Sequence, residues 1–221
     1  MNDAFPVPKV LVSRCLGFAA CRYDGQLLKN SLVEQLQAHV EMLPVCPETD
    51  CGLGIPRAPI RICQAGEGCV VYQPATGLDV TSQLQSAIDA VFAAHPQVDG
   101  VVLKSKSPSC GLFDAKIYQA VDKPHFLKKA AGLFGEQVLR IFAGQAVEDE
   151  MRFSNLTLRE HFLIKLFTLA QFRELSQHPE MGGLVEFHAS HKLLFLAYNQ
   201  SRFRLAGKIV GNHDHLPAAE V

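Results

Sequence analysis

The chain has 221 residues, of which 48% are hydrophobic and 19% are charged, and its formal net charge is −1. This balance is typical of a globular protein with a full core and excludes a disordered chain. Because there is no overall basic excess, binding of nucleic acid would need a local patch of positive charge. No apolar run could span a bilayer, and Met1–Val10 lacks a signal-peptide core, so we expect a cytoplasmic protein without membrane contact.

Strands and helices are predicted to alternate through the first two-thirds of the chain. The strands are short runs bounded by turn-forming residues, at Val7–Val12, Val40–Val45, Gly100–Leu103, Lys116–Ala120 and Gln145–Glu148. Apolar residues at helical spacing predict helices at Leu27–His39, Thr81–His95 and Leu133–Phe142. Ile60–Cys63 and Cys69–Gln73 flank AGEG and predict a β-hairpin. The alternation predicts an α/β fold with a three-layer, Rossmann-like, mainly parallel sheet.

The character of the sequence changes near Met151. Thr157 and Glu160 have the spacing of a capping box, and a run with helical periodicity follows them. A further helix is expected after Gly182-Gly183, and the tail from about residue 211, with His213 and His215, is expected to be disordered. We therefore predict two domains, an α/β domain at 1–150 and a short helical appendage at 151–221.

Three cysteines follow predicted strands. Cys15 comes after the first strand, Cys46 after the second, and Cys110 lies in KSKSPSCG (Lys104–Gly111) after Gly100–Leu103. The carboxyl ends of parallel strands share one sheet edge, where ligands bind in open α/β folds, so the three thiols would converge there if the strands are neighbours. Thiolates are soft ligands that suit iron–sulfur clusters or zinc, and three of them would leave one iron of a cubane cluster open.

The other four cysteines carry weaker signals. Seven cysteines in a cytosolic protein favour metal binding or catalysis over disulfides. Cys63 and Cys69 lie within apolar strands and are interpreted as small buried hydrophobic residues. Cys51 is ambiguous, and Cys21 could be a ligand although it does not follow a strand. The chain has no CxxC or CxxxC pair, which disfavours a zinc ribbon.

Six motifs between Val7 and Cys110 occur in a fixed order: SRCLG, CRYDG, VCPE, GLGIPRAPIRI, TGLDVT and KSKSPSCG. Together they resemble the thiouracil desulfidase (TudS) family. The resemblance implies a [4Fe-4S] cluster held by Cys15, Cys46 and Cys110. It also implies non-redox removal of sulfur from a thiolated uracil, with the unligated iron taking the sulfur. A thiocarbonyl sulfur is soft and prefers iron, which polarises the C–S bond.

Such a reaction also needs an acid–base group, because water must add to the ring carbon. Glu48, two residues after Cys46, is the natural candidate; the alternative is a cap, or a partner for Arg57 or Arg61. The family pattern favours catalysis. Ser107 and Ser109 flank Pro108 beside Cys110, and one of them could bind the base or assist proton transfer. The alternative for both is turn chemistry.

Three further residues are candidates for substrate binding. Tyr23 could stack on a pyrimidine, as aromatic side chains do on unstacked bases. Arg22 either contacts the substrate or pairs with Asp24 to order its loop. Lys104, like Lys106, could bind a phosphate or be solvated.

The C-terminal segment Glu186–Gly211 resembles the start of a second domain of unknown function that is often fused behind this desulfidase domain. The fused proteins resemble enzymes that remove 4-thiouridine from tRNA, and only the start of their second domain is expected here. The resemblance makes tRNA the leading substrate. No obligate protein partner is evident from the sequence. One alternative is desulfuration of free thiouracil or thiouridine. Others are a non-catalytic iron–sulfur protein that binds RNA or acts as a sensor, and a zinc or cluster-free binding protein.

Overall fold

The computed structural model describes residues 5–66, 68–122, 125–212 and 214–221. They form two compact units. The first is Val7–Phe167, and the second is Thr168–Val221 together with Phe5 and Pro6. In chain order, the elements that begin in the first unit are β1 (Lys9–Ser13), α1 (Ser31–Gln37), β2 (Glu41–Val45), α2 (Pro47–Asp50), β3 (Arg61–Ala65), β4 (Gly68–Gln73), β5 (Leu78–Asp79), α3 (Thr81–Ala94), β6 (Gly100–Leu103), β7 (Ala115–Tyr118), β8 (Phe126–Ala130), α4 (Leu133–Ile141), β9 (Ala146–Asp149) and α5 (Leu156–Gln177).

A four-stranded parallel sheet forms the centre of the first unit, with the strand order β2-β1-β6-β9. All four residues of β6 are buried, as are four of the five residues of β1. Strands of a parallel sheet are covered on both faces, which explains why these segments read as continuous apolar runs.

The two faces of this sheet are covered by different helices. On one face, Leu11 and Val101 belong to a cluster with α3 and α4. On the other face, Val10 and Val102 belong to a cluster with α1 and the first half of α5. Neighbouring residues of one strand thus point to opposite helical layers, as the alternation of side chains along a strand requires. The prediction of a three-layer α/β fold is confirmed.

A second sheet of five strands was not anticipated from the sequence. Its order is β5-β4-β3-β7-β8, and it mixes antiparallel pairs with one parallel pair, β3 with β7. The predicted hairpin is present as β3 and β4, although Glu67 in its turn lies outside the described residues. Strand β8 was missed because its lysine-rich, exposed sequence lacks the apolar pattern of a strand.

Two helices that begin in the first unit are capped by an asparagine. Helix α1 starts four residues later than predicted, because the side chain of Asn30 accepts the backbone N–H groups of Leu32 and Val33, each at 3.1 Å. The side chain of Asn155 accepts the N–H of Leu158 at 3.2 Å, so α5 starts before the predicted capping box at Thr157. Asparagine is among the preferred N-cap residues, and its use at both starts fits that preference.

The second unit consists of the end of α5 and three further helices, α6 (Met181–Ser190), α7 (Lys192–Tyr198) and α8 (Gln200–Val210). Aromatic rings form contacts between these helices: the ring of His188 stacks on Phe203, with centroids 4.7 Å apart. After α8, the side chain of Asn212 bonds to both backbone groups of Leu216. His213 lies outside the described residues, and disorder of the tail stays a prediction. Among the described residues, none of the helices has the length and apolar content to cross a membrane.

Candidate functional site

Three thiols meet at the carboxyl edge of the parallel sheet. Cys15 follows β1, Cys46 follows β2, and Cys110 lies in the loop after β6. Because β2, β1 and β6 are adjacent, their ends lie side by side, and all three cysteines line one cavity of about 450 Å³. The expected convergence at one sheet edge is present. The role of these cysteines as cluster ligands stays a prediction.

A fourth cysteine reaches the same cavity. Cys21 is 2% exposed and lines the cavity, and the neighbouring Cys15 thiol is the first cause of its raised pKa. It gets there because the chain turns back directly after Cys15: the N–H groups of Phe18 and Ala19 both bond to the carbonyl of Arg14. The sequence left Cys21 open, and the glycine-punctuated loop around it was the available signal of such a turn.

Burial and neighbouring thiols raise the pKa values of Cys110 and Cys46. Desolvation raises the pKa of Cys110 to about 12. The pKa of Cys46 is raised too, first by its hydrogen bond with the Cys21 thiol and then by burial. Both groups are therefore protonated at neutral pH in the chain alone, and binding a metal would release their protons.

The chemistry of the donor set suits an iron–sulfur cluster. Among the described residues, no three His, Cys, Asp or Glu side chains are grouped to hold one metal ion. A cubane cluster needs a wider set, because each thiolate binds a different iron. Cys15, Cys46 and Cys110 come from three separate strand ends and line a partly apolar cavity, which suits soft sulfur ligands.

Glu48 lies on the cavity wall in the one-turn helix α2, directly after Cys46. Its side chain forms a buried ion pair in which Arg57 donates from Nε and from an NH2 group to the same oxygen, Oε2, at 3.1 and 2.8 Å. The other oxygen, Oε1, lies 3.4 Å from the hydroxyl of Ser107. The arginine partner considered from the sequence is therefore present, and it leaves one carboxylate oxygen facing the cysteine loop.

The two candidate serines occupy different places. Ser107 lines the cavity, and its Oγ accepts the N–H groups of Ser109 and Cys110 at 3.2 and 3.0 Å. The side chain of Ser109 is fully buried beneath the loop, with Oγ 3.7 Å from Sγ of Cys110, and it does not line the cavity. Only Ser107 combines the turn role with access to the cavity.

The Cys110 loop is held by the start of α4. The backbone N–H of Leu133 bonds to the carbonyl of Pro108, and those of Phe134 and Gly135 bond to the carbonyl of Ser109. The first N–H groups of a helix have no partners within the helix, and here the loop supplies them. The approach is so close that a Cβ on Gly135 would lie 2.1 Å from the carbonyl oxygen of Gly111.

Lys104 lies on the cavity wall, but its ammonium group bonds to Glu150 and to both oxygens of Ser105. Glu150 in turn accepts the N–H of Ser105 at 2.6 Å and its hydroxyl at 2.8 Å. This buried network ties the end of β6 to the residue after β9. Binding of phosphate by Lys104 stays a prediction, and in this structure its charge is matched by Glu150.

Lys106 is a different kind of residue. It lies on the cavity wall with an exposed side chain and a backbone φ of 58°, a left-handed conformation that is uncommon for a lysine. Its N–H donates to Asp114 at 2.6 Å, which holds that conformation. Among the described residues, no carboxylate forms an ion pair with its ammonium group.

Arg22 and Tyr23 also line the cavity. Arg22 donates to Asp24 at 3.2 Å, and its guanidinium lies 5.5 Å from the centroid of the Tyr23 ring. The ordering of the loop by an arginine–aspartate pair is therefore seen. Tyr23 is 43% exposed, which leaves part of its ring available to a ligand.

The cysteines away from the cavity behave less uniformly than predicted. Cys63 is buried in β3, as expected, and Cys51 is half-buried. The prediction of a buried Cys69 is wrong, because this residue is exposed on β4 at the edge of the hairpin. Among the cavity residues that were not singled out from the sequence, Arg14 pairs with Asp50, and the hydroxyl of Ser13 accepts the N–H of Lys104.

Comparison with known proteins gives a consistent result. A family model described as 2-thiouracil desulfurase matches residues 10–150. A Bacillus subtilis (strain 168) protein described as uncharacterized protein YbbK is 34% identical over 109 residues, which cover 46% of this chain and 72% of the relative. Among solved structures, the chain is similar to a [4Fe-4S]-dependent thiouracil desulfidase, TudS, at 30% identity and a TM-score of 0.52. This match covers 70% of the present chain and 98% of the other.

Proposed function

This chain belongs to the 2-thiouracil desulfurase family, and on that premise we propose that it removes the sulfur of a thiolated uracil with water. The C=S bond is replaced by C=O, and the sulfur leaves as hydrogen sulfide, so no electrons are gained or lost. The observation that carries the proposal is the meeting of Cys15, Cys46 and Cys110 at one cavity beside the Glu48 carboxylate.

The proposed cofactor is a [4Fe-4S] cluster held by these three cysteines. Support comes from the donor set described above and from the similar structure, which is named as [4Fe-4S]-dependent. When bound, such a cluster with three protein ligands supplies an open iron that polarises a soft thiocarbonyl sulfur.

Glu48 is the proposed acid–base residue. Arg57 binds Oε2, so Oε1 is the oxygen that can take a proton from the attacking water and return it to the departing sulfur. Ser107 supports this role. Its Oγ already accepts two backbone N–H groups, which leaves its single hydroxyl proton to be donated toward Oε1 at 3.4 Å. We therefore assign the assisting role to Ser107 and not to Ser109.

The proposed substrate is 4-thiouridine in tRNA. Lys106 on the cavity wall could meet a phosphate, Arg22 contributes a second cation there, and the partly exposed ring of Tyr23 could stack on a base. Arg202, Arg204 and Lys208 on α8 are exposed, as residues that contact an RNA backbone would be. A cytoplasmic location belongs to the proposal, because all seven cysteines are free, as in a reducing compartment.

Free thiouracil or thiouridine is the second candidate substrate. The cavity volume of about 450 Å³ is in the range of small-molecule sites, roughly 300–1,000 Å³. A site of this size could take a nucleobase or nucleoside without any contribution from the helical unit.

The test compares the two substrates on protein purified and reconstituted without oxygen. The protein is incubated with tRNA that contains 4-thiouridine and, separately, with free 4-thiouracil, and loss of the thiocarbonyl absorbance is followed together with release of sulfide. Loss with tRNA supports the tRNA proposal. Loss only with the free base favours the second candidate.

Two cysteine variants complete the test. Cys110→Ala should abolish turnover and lower the iron content, whereas Cys69→Ala, an exposed cysteine on β4, should leave both unchanged. A reconstituted protein with full iron content that releases no sulfide from any thiolated uracil would rule out the desulfidase proposal.

A further inference from the structure

Arg57 connects three chain segments around the cavity. Its guanidinium binds Oε2 of Glu48 and donates from Nη1 to the carbonyl of Cys21 at 3.0 Å and to that of Gly54 at 3.4 Å. Its backbone N–H donates to the carbonyl of Tyr23 at 2.8 Å. The side chain is only 6% exposed, so these partners replace the water that the cation has lost.

The contact with Glu48 is asymmetric. A common arginine–carboxylate pair uses both carboxylate oxygens, one for each nitrogen. Here Nε and an NH2 group converge on Oε2, and Oε1 is left toward the hydroxyl of Ser107. The guanidinium thus fixes which oxygen faces the cysteine loop.

A rigid carboxylate at this place matters because α2 is a single turn of four residues. So short a helix is not stable on its own and depends on tertiary contacts. The Glu48 side chain is held instead by the guanidinium of Arg57. That guanidinium is held in turn by the backbone carbonyl groups of Cys21 and Gly54.

We propose that Arg57 is a positioning residue that holds Glu48 with Oε1 directed at the reacting thiocarbonyl carbon. The inference rests on the proposed desulfuration. It adds a role for a buried cation that acts through Glu48. It also links the acid–base residue to the loop that carries Cys21 and Tyr23, so these two parts of the site keep a constant separation.

A double-mutant cycle tests this role. Arg57→Ala should lower kcat by about 100-fold with KM changed less than about threefold, because a displaced catalytic group loses rate more than binding. Glu48→Gln should lower kcat by about 10²–10⁴-fold. Because Arg57 acts through Glu48, adding Arg57→Ala to the Glu48→Gln variant should cost less than about twofold more. A loss in the double variant equal to the product of the single losses would overturn the inference.

Rescue distinguishes positioning from a general need for a folded loop. Arg57→Lys keeps the charge and should recover part of the rate. Guanidinium ion, at concentrations far below those that unfold proteins, should raise the kcat of Arg57→Ala and leave the Arg57→Ala/Glu48→Gln variant unchanged. Iron content should stay at the wild-type level in every variant. Arg61→Met, which removes a neighbouring arginine that lies against the Tyr118 ring on the second sheet, is the control and should leave kcat unchanged.

Failure of the proposed function would show itself separately, as a wild-type protein inactive on all thiolated uracils. The positioning contact is then judged from thermal unfolding of the same four proteins. If Arg57 holds Glu48, the loss of Tm in the double variant is smaller than the sum of the two single losses. Additive losses would overturn the inference whatever the activity.

Discussion

The two units of the chain differ in how they bury their side chains. In the α/β unit, strands β1 and β6 are covered on both faces, and residues such as Leu11 and Val101 are fully buried. Within Met181–Val210, all of which the structure describes as helix or cap, no residue is buried, and Leu193 is 80% exposed. Burial of apolar area is the main stabilising term in folding, so the α/β unit is expected to be stable and the helices adaptable. The candidate site draws all its residues from the rigid unit, as precise chemistry requires.

The largest effect is expected from adding a single methyl group beside the Cys110 loop. In Gly135→Ala the new Cβ would meet the carbonyl oxygen of Gly111 at 2.1 Å, and a backbone atom cannot move aside cheaply. We expect a loss on the order of 4 kcal/mol in the free energy of unfolding, or no folded protein. Gly182→Ala in α6 is the matched control: nothing lies within 4 Å, and the change should stabilise by about 0.5–1 kcal/mol. Equal changes in the free energy of unfolding of the two variants, measured with denaturant, would contradict the proposed difference between the units.

A pair of leucine truncations gives the next largest difference. Leu84 on α3 is fully buried, so Leu84→Ala should cost about 2–5 kcal/mol through lost burial and a cavity. Leu193→Ala on α7 should change the stability by less than about 0.5 kcal/mol, because its side chain is already in solvent. Chemical unfolding of both variants measures this directly. A cost above about 2 kcal/mol for Leu193→Ala would mean that α7 is buried in solution by something else.

Two glutamates, one buried in the α/β unit and one exposed in the helical unit, allow the same comparison for charged side chains. Glu150→Gln removes the buried partner of Lys104 and weakens the bonds to Ser105, and it should cost roughly 2 kcal/mol. Glu174→Gln removes a carboxylate that is 57% exposed and 3.9 Å from Arg173, and it should cost less than about 0.5 kcal/mol. High salt should leave the cost of Glu150→Gln nearly unchanged, because a buried ion pair is poorly screened. Similar costs for both changes would argue that the Lys104 network is solvated.

The smallest effect on stability is expected on α8, together with a selective effect on RNA. If the tRNA proposal is right, replacing Arg202, Arg204 and Lys208 by glutamine should leave unfolding and turnover of free 4-thiouracil unchanged. It should weaken tRNA binding and reduce the salt dependence of log Kd by up to about 3, one for each lost phosphate contact. An unchanged salt dependence of log Kd would mean that these three residues of α8 do not contact the tRNA.

Much of the α/β unit could be predicted because its local and long-range signals agree. The runs around Val10–Val12 and Val101–Leu103 are apolar and β-branched, and their separation by helices requires a parallel sheet. The convergence of Cys15, Cys46 and Cys110 then follows from strand adjacency alone.

Other features depend on partners that no local pattern shows. Strand β8 is formed by pairing with β7, although its own residues are mostly charged or exposed. Cys21 reaches the cavity through a turn that is held by the backbone carbonyl of Arg14. The ion pair of Lys104 with Glu150 joins residues 46 positions apart in the sequence. In the helical unit, a helix was expected after Gly182-Gly183, and α6 begins close by at Met181. The domain division at residue 150 stays a prediction.

The capping of α4 by the Cys110 loop has a consequence for amide hydrogen exchange. The first amides of a helix normally exchange quickly because no carbonyl within the helix protects them. Those of Phe134 and Gly135 are bonded to Ser109, so they can exchange only when the loop separates from the helix. The exchange rates of these two amides therefore report how often the loop that carries Cys110 opens. A ligand that fixes this loop should slow amide exchange at the start of α4 without contacting that helix.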